Sequence, residues 1–383
     1  MGWCTTFDLD KFAAAAGGYL RSRAAENTLL LSAAQAAQVA RDGQDGQNGQ
    51  TSRAGWRTRV AGQRAEPAAQ EVLFGWWEPP DGGEPRGAFA HDPSAPLLIA
   101  GKAPEIGAAL AATLAKLGRQ VFGVDAPTEV ADAFAAAWSQ RAGTTVRAHK
   151  NARVYRLLAP QGMEMAGPAG RLRCARAEDR ALLADWLTAF AVEANERLGS
   201  ASDLAADLIS HGYAVFWEVP QRPSRLRDAA HHLPLPHYRD PAQFGDAGHQ
   251  PVALVTLTRP VAGTVRISIV YSPPERRHNG YATALTLAVS HAVLAGTGPG
   301  NGASGNAHGL LGVASGLVNE VVMITDKNRS DRWGGRLGFQ LVGERAVLRF
   351  GPVTGPMPRA HPTGAMPRLP TGPLPRLPRL RRS

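Results

Sequence analysis

The sequence predicts an α/β protein built from one unit used twice. Three observations carry that prediction. Stretches with the period-2 alternation of strands follow stretches with the i, i+3, i+4 apolar spacing of helices along the chain. They do so in two runs sharing one order: two helices, three strands, helix, strand, helix, strand. The length of 383 residues, 44% of them hydrophobic and 19% charged, supplies two to three domains of ordinary globular composition. The duplication rests on element order and not on visible sequence identity.

In the first run, helices are predicted over 8–23 and 27–41, with Asp8 and Asn27 as candidate N-caps. The polar, Gly-Gln-rich segment 41–59 reads as a loop or disordered insertion. Strands at 72–78 and 86–91 flank Pro79-Pro80-Asp81-Gly82-Gly83, a hairpin signal. A short buried strand at 97–100, a helix at 105–117, a strand at 120–124, a helix at 129–140 and a strand over 144–157 complete the run. Residues 159–170, with two prolines and three glycines, read as a linker.

The second run adds a strand at 171–174 and helices at 178–195 and 201–209. Strands follow at 214–219, 252–258 and 264–272, then a helix from Tyr281, a strand at 321–325, a short helix at 329–337 and a strand at 339–350. Two further insertions, 220–250 and 297–316, interrupt it. The expected organisation is an N-terminal domain 1–158, a linker 159–170, a C-terminal domain 171–351 and a disordered Pro/Arg-rich tail 352–383.

Composition excludes several function classes. Two cysteines, Cys4 and Cys174, make neither a disulfide framework nor a metal cluster, and the eleven histidines show no ligand-spaced pair, so no metal is expected. No apolar run is long enough to cross a bilayer, no signal peptide is read, and the expected location is cytoplasmic. The net charge of +10 invites a nucleic-acid reading. Six arginines of the tail carry the excess, and without them the charge falls to +4, so nucleic acid is not the expected partner.

The most informative stretch is Val265–Leu285: strand, short loop, helix start. Pro273 and Pro274 remove two backbone donors and end the strand. Arg276 and Arg277 bring positive charge, and Gly280 lets the backbone come close to a ligand at the start of the helix from Tyr281. Amides at a helix start lack intrahelical partners and favour anions, so the junction suits a diphosphate.

Arg277-x-x-Gly280-x-Ala282, behind Val270-Tyr271-Ser272-Pro273-Pro274, resembles the acyl-CoA loop of the GNAT superfamily of N-acetyltransferases, in its two-domain bacterial form. The resemblance implies tandem GNAT-like domains, each a mixed, mostly antiparallel sheet flanked by helices, with the fourth and fifth strands splayed apart. It implies acetyl-CoA as cosubstrate, its pantetheine along Val270, Tyr271 and Ser272. The pyrophosphate would lie on the amides of Arg277, His278, Asn279, Gly280, Tyr281, Ala282 and Thr283. Asn328 stands where the family's second motif contacts the pantetheine, and also reads as a helix N-cap. His278 stands where the family commonly has glycine. Gly334 stands where it often has the tyrosine that protonates the departing thiolate, and 328–339 is shortened. The first run has Ala100-Gly101-Lys102-Ala103-Pro104 at the equivalent place, so no acyl-CoA site is expected there.

The implied reaction is attack of a primary amine, on a small molecule or a peptide, on the acetyl thioester. Glu218, near the end of a strand, is the candidate base. The alternative is a non-catalytic CoA-binding or protein-interaction module on the same fold.

Overall fold

The computed structural model describes residues 2–45, 71–79, 81–158, 167–196, 198–220, 248–296, 318–327 and 337–352. The tail beyond 352, all but the last residue of the helix expected over 329–337 and most of the three insertions lie outside them.

The chain opens with a short strand, β1 (Gly2–Thr6), which the sequence reading had not anticipated. Helices α1 (Leu9–Ser22) and α2 (Thr28–Asp45) follow, then strands β2 (Leu73–Glu78), β3 (Gly87–His91) and β4 (Leu97–Gly101). Next come α3 (Pro104–Lys116), β5 (Gly123–Pro127), α4 (Thr128–Ala142) and β6 (Thr144–Leu157). The second run is β7 (Arg171–Cys174), α5 (Arg180–Ala194), α6 (Ala201–Ser210), β8 (Ala214–Pro220), β9 (His249–Leu257), β10 (Thr264–Tyr271), α7 (Tyr281–Leu294), β11 (Glu320–Asp326) and β12 (Gln340–Pro352).

Local chemistry accounts for the ends of several elements. The Asp8 carboxylate caps α1 by accepting from the amides of Asp10 and Lys11. Asn27 instead turns back and donates its side-chain amide to the Leu20 carbonyl. α2 runs on through Asp45, into the start of the segment expected as a loop. β5 begins three residues later than expected, because its register is set by β12 and not by its own pattern.

All twelve strands form one sheet, in the order β1-β2-β3-β4-β5-β12-β6-β11-β10-β9-β8-β7. Only β4 with β5 and β10 with β11 are parallel; the other pairings are antiparallel. The two longest strands, β6 and β12, pair with each other in the middle over 144–156 and 340–352. Each also pairs with a strand of the opposite run, β6 with β11 and β12 with β5. Each run therefore ends in a strand that extends the sheet of the other.

Alternation along the strands feeds helices on both faces. On one, Phe74 and Trp76 of β2 join Phe12, Leu20 and Leu30 from α1 and α2. On the other, Leu73 and Trp77 join Leu110, Leu114, Phe134 and Trp138 from α3 and α4, with Ala346 and Leu348 of β12. In the second run, Leu183, Trp186 and Leu187 of α5 and Leu285, Val289 and Val293 of α7 enclose Phe216, Leu254, Val255 and Met323. No helix among the described residues is long and apolar enough to cross a membrane.

Candidate functional site

β10 and β11 run side by side from Thr264↔Glu320 to Ile267↔Met323, and there the pairing stops. β11 continues along β6, through Ile324↔Val154, Thr325↔Arg153 and Asp326↔Ala152. β10 continues along β9, through Ile269↔Thr256, Val270↔Val255 and Tyr271↔Leu254. A bulge at Ser268, where the register slips between Ile267 and Ile269, turns β10 away. The Ile269 amide is caught there by the Thr256 hydroxyl at 3.1 Å. A cleft opens between the two strands, with Val270, Tyr271 and Ser272 on its β10 side. Ser272 Oγ and Thr325 Oγ1, one on each lip, are buried hydroxyl oxygens without a hydrogen-bond partner among the described residues.

At the end of the cleft, Pro274–Arg276 make a single 3₁₀ turn and the chain enters α7 through Arg277, His278, Asn279 and Gly280. His278 has φ 65° and Gly280 φ 77°, both left-handed. The loop thus uses a histidine where an unstrained chain would place glycine or asparagine. Asn279 steadies it, donating its side-chain amide to the carbonyls of Arg276 (3.1 Å) and Arg277 (2.9 Å). At Gly280 the nearest neighbour of an added Cβ is Pro168, at 3.8 Å, so the backbone conformation and not lack of space calls for glycine. No side chain caps α7, so the amides at its start face the loop without a side-chain acceptor. Tyr281, Ala282 and Thr283 form that first turn, all partly buried.

Mixed sheet, repeated element order, and a parallel pair that parts in front of an Arg-x-x-Gly-x-Ala helix start together decide the architecture. The fold is GNAT-like, as the resemblance of the loop implied. No family model matches the chain, and no curated protein does. Among solved structures, a Drosophila protein superposes with a TM-score of 0.53 over 91% of this chain and 98% of its own, at 13% identity, a likeness of fold alone. A GCN5-related N-acetyltransferase from Kribbella flavida aligns at a TM-score of 0.40 and 14% identity, over 70% of this chain and 88% of its own. A tandem GNAT protein from the clavulanic acid biosynthesis pathway aligns at 0.38 and 14%, over 76% and 86%.

Within this GNAT frame, Arg277 is already engaged. Its Nη2 donates to both oxygens of Glu193, at 2.6 and 2.7 Å, and its Nε to the Ser272 carbonyl at 3.0 Å. The guanidinium also lies 5.9 Å from the centre of the Tyr271 ring. Burial, and then the Glu193 charge, push the Tyr271 phenol above its ordinary range. Glu193 lies near the end of α5, 84 residues from Arg277, and no local pattern in the sequence marks it.

Glu218 is fully buried at the β7–β8 edge. Arg171 donates to one carboxylate oxygen, from Nη2 at 3.0 Å and Nε at 3.1 Å, and Arg173 Nε to the other at 2.6 Å. Arg173 in turn holds Asp179 at 2.7 and 3.0 Å. Both oxygens of the carboxylate are thus taken up by guanidinium groups, and this network ties β7 to β8 and to the start of α5. Asn328 and Gly334 lie outside the described residues. Among the described residues no cluster of His, Cys, Asp and Glu is arranged to hold a metal.

Proposed function

We propose that the chain is an acetyl-CoA-dependent N-acetyltransferase of the cytoplasm, acting on a primary amine of a small molecule or peptide. The observation that carries this reading is the cleft between β10 and β11 ending on the uncapped start of α7. The residues present fit acetyl-CoA. Beyond Ile267 the edge of β10 turned from β9 has no strand partner, which suits an amide-bearing chain laid in as a pseudo-strand. The orphaned hydroxyls of Ser272 and Thr325 offer further hydrogen bonds on the two lips.

Each residue then has a role. Val270, Tyr271 and Ser272 align the pantetheine, and the amides of Arg277 to Thr283 with the α7 dipole hold the pyrophosphate. Arg277 turns from Glu193 to phosphate. That exchange costs little, because the ion pair is about two-fifths exposed on each side, and such pairs contribute only about 0.2–1 kcal/mol. Strand amides near Val270 polarise the thioester carbonyl. The amine nitrogen bonds to that carbon, the carbon–sulfur bond breaks, the thiolate takes a proton, and the proton of the amine leaves to water. Acetyl-CoA supplies the activated acetyl group.

The second reading, a CoA-binding module without catalysis, is favoured by the pairing of Glu218, which leaves that candidate base unavailable. Two measurements separate them. Calorimetric titration of CoA tests the cleft, and release of free thiol from acetyl-CoA over a panel of primary amines tests the transfer. Binding with thiol release supports the enzyme; binding without release supports the module; no binding ends both. Glu218→Gln should lower the melting temperature and leave the pH profile of any thiol release unshifted. A shifted profile at unchanged stability would return the role of base to Glu218.

A further inference from the structure

At the opposite end of β10 from the acyl-CoA loop lies a second concavity. β10 spans Thr264–Tyr271, so at a rise of about 3.3 Å per residue the two places are roughly 23 Å apart. The concavity has a volume of about 400 Å³, within the range of small-molecule sites. It lies where the runs meet: the α1–α2 connection forms one wall, and the end of β6, the turn before β10, the start of β11 and β12 form the rest.

Its lining is charged and unevenly paired. Arg21, Arg23 and Arg156 contribute three guanidinium groups. Arg156 sits on β6 between Val322 of β11 and Gln340 of β12, and its Nε is buried with no hydrogen-bond partner. A buried guanidinium N–H without an acceptor leaves a charge-assisted bond unmade. The acids are less available. Glu26 is bound to Lys102 at 3.2 Å. Burial pushes the Glu320 carboxyl above its ordinary range, while Arg156 and the Ala25 amide pull it part of the way back. Two carboxylates thus stand against three guanidinium groups.

We infer that this concavity is a binding site for a small metabolite bearing a carboxylate or phosphate group, with the half-buried Arg156 as the anchor and Arg21 and Arg23 closing on the anion from the α1 end. Guanidinium groups take carboxylate and phosphate alike, by paired N–H donors in a plane. An occupant would touch the connection between α1 and α2 and the first residues of β10 and β11 together.

The test is calorimetric titration of the full chain with inorganic phosphate and, separately, with citrate. Saturable binding of one or both at millimolar concentration or below is the expected result. Phosphate alone would assign the site to phosphorylated ligands, and citrate alone to polycarboxylates. Arg156→Gln should weaken binding at least tenfold. Glu320→Gln, which keeps an acceptor for the Ala25 amide and removes the like charge, should tighten it. Binding that Arg156→Gln leaves in place is assigned to the start of α7 and not to this site. Absence of saturable binding to wild type would overturn the inference, as would a folded Arg156→Gln with wild-type affinity. Should Arg156→Gln unfold, Arg23→Gln at an exposed position decides the matter: wild-type affinity there would also overturn it.

Discussion

β4 and β5 run side by side through two register pairs, Leu97↔Val124 and Leu98↔Asp125, and then separate, as β10 and β11 do after Ile267↔Met323. Both partings lead into a helix whose start no side chain caps, α3 after Ala103 and α7 after Gly280. In the first, only Lys102 and Ala103 connect strand and helix. The Ile106 side chain packs against Gly87 and Gly101, and Arg345 of β12 closes on Asp125, donating to its carboxylate at 2.8 Å and to its carbonyl at 3.0 Å. In the second, the chain from Ser272 to Gly280 arcs away, and hydroxyls on both lips have no partner. The parting belongs to the topology, which recurs. The connection that follows it is where the two runs differ.

The sharpest way to break this comparison is to place a like charge at each helix start. Gly280→Glu should weaken CoA binding by about 4 kcal/mol, the Coulomb energy of like charges about 4 Å apart at an effective dielectric near 20. Lys102→Glu, at the first parting, should leave the same titration unchanged. Equal losses in both variants would mean that the two partings bind alike.

The first run carries a buried group that responds to pH. His91 at the end of β3 is 1% exposed; Arg119 Nε donates to its Nδ1 at 3.2 Å, and the Gln120 carbonyl lies 3.0 Å from its Nε2. Burial first, and then the Arg119 charge, lower its pKa from 6.5 to about 4. A lowered histidine pKa favours the fold where the ring is neutral. That contribution is complete above pH 6.5, falls away as pH drops toward 4, and is gone below. Its size is about 3 kcal/mol, from about 1.4 kcal/mol per unit. His91→Gln should therefore flatten the dependence of stability on pH across that window. Denaturant unfolding at pH 7, 5 and 4 checks it, and a slope as steep as wild type would remove His91 as the cause.

Two smaller effects sharpen the account of the second parting. Arg277→Ala should cost about 1–3 kcal/mol of CoA affinity, since the helix amides remain. Glu193→Gln should raise that affinity by up to about 1 kcal/mol, because Arg277 no longer has to leave a carboxylate. Titration of both variants tests the exchange, and an unchanged Glu193→Gln would mean that Arg277 does not move.

Much of this protein was legible in its amino-acid order. Apolar period, caps such as Asp8, and the Pro-Pro and Gly signals around 273–280 are local properties, and they placed nearly all helices and strands and the strand–loop–helix junction at 265–285. β1 escaped notice because Gly2–Thr6 is too short to show an alternation, and it becomes a strand only by pairing with β2. The partners of β6 and β12 could not be read at all, since register between strands some 200 residues apart is settled by which edges remain open once both runs have folded. Charged side chains were ambiguous for the same reason. Glu218 near a strand end fits a base or a buried ion pair equally well until Arg171, Arg173 and Asp179 are brought around it. Glu193 and Arg277 meet only through packing of α5 against β10. Local sequence determined the elements and the loop chemistry; the tertiary structure alone decided which charges face each other, because pairing depends on distances that no local pattern encodes.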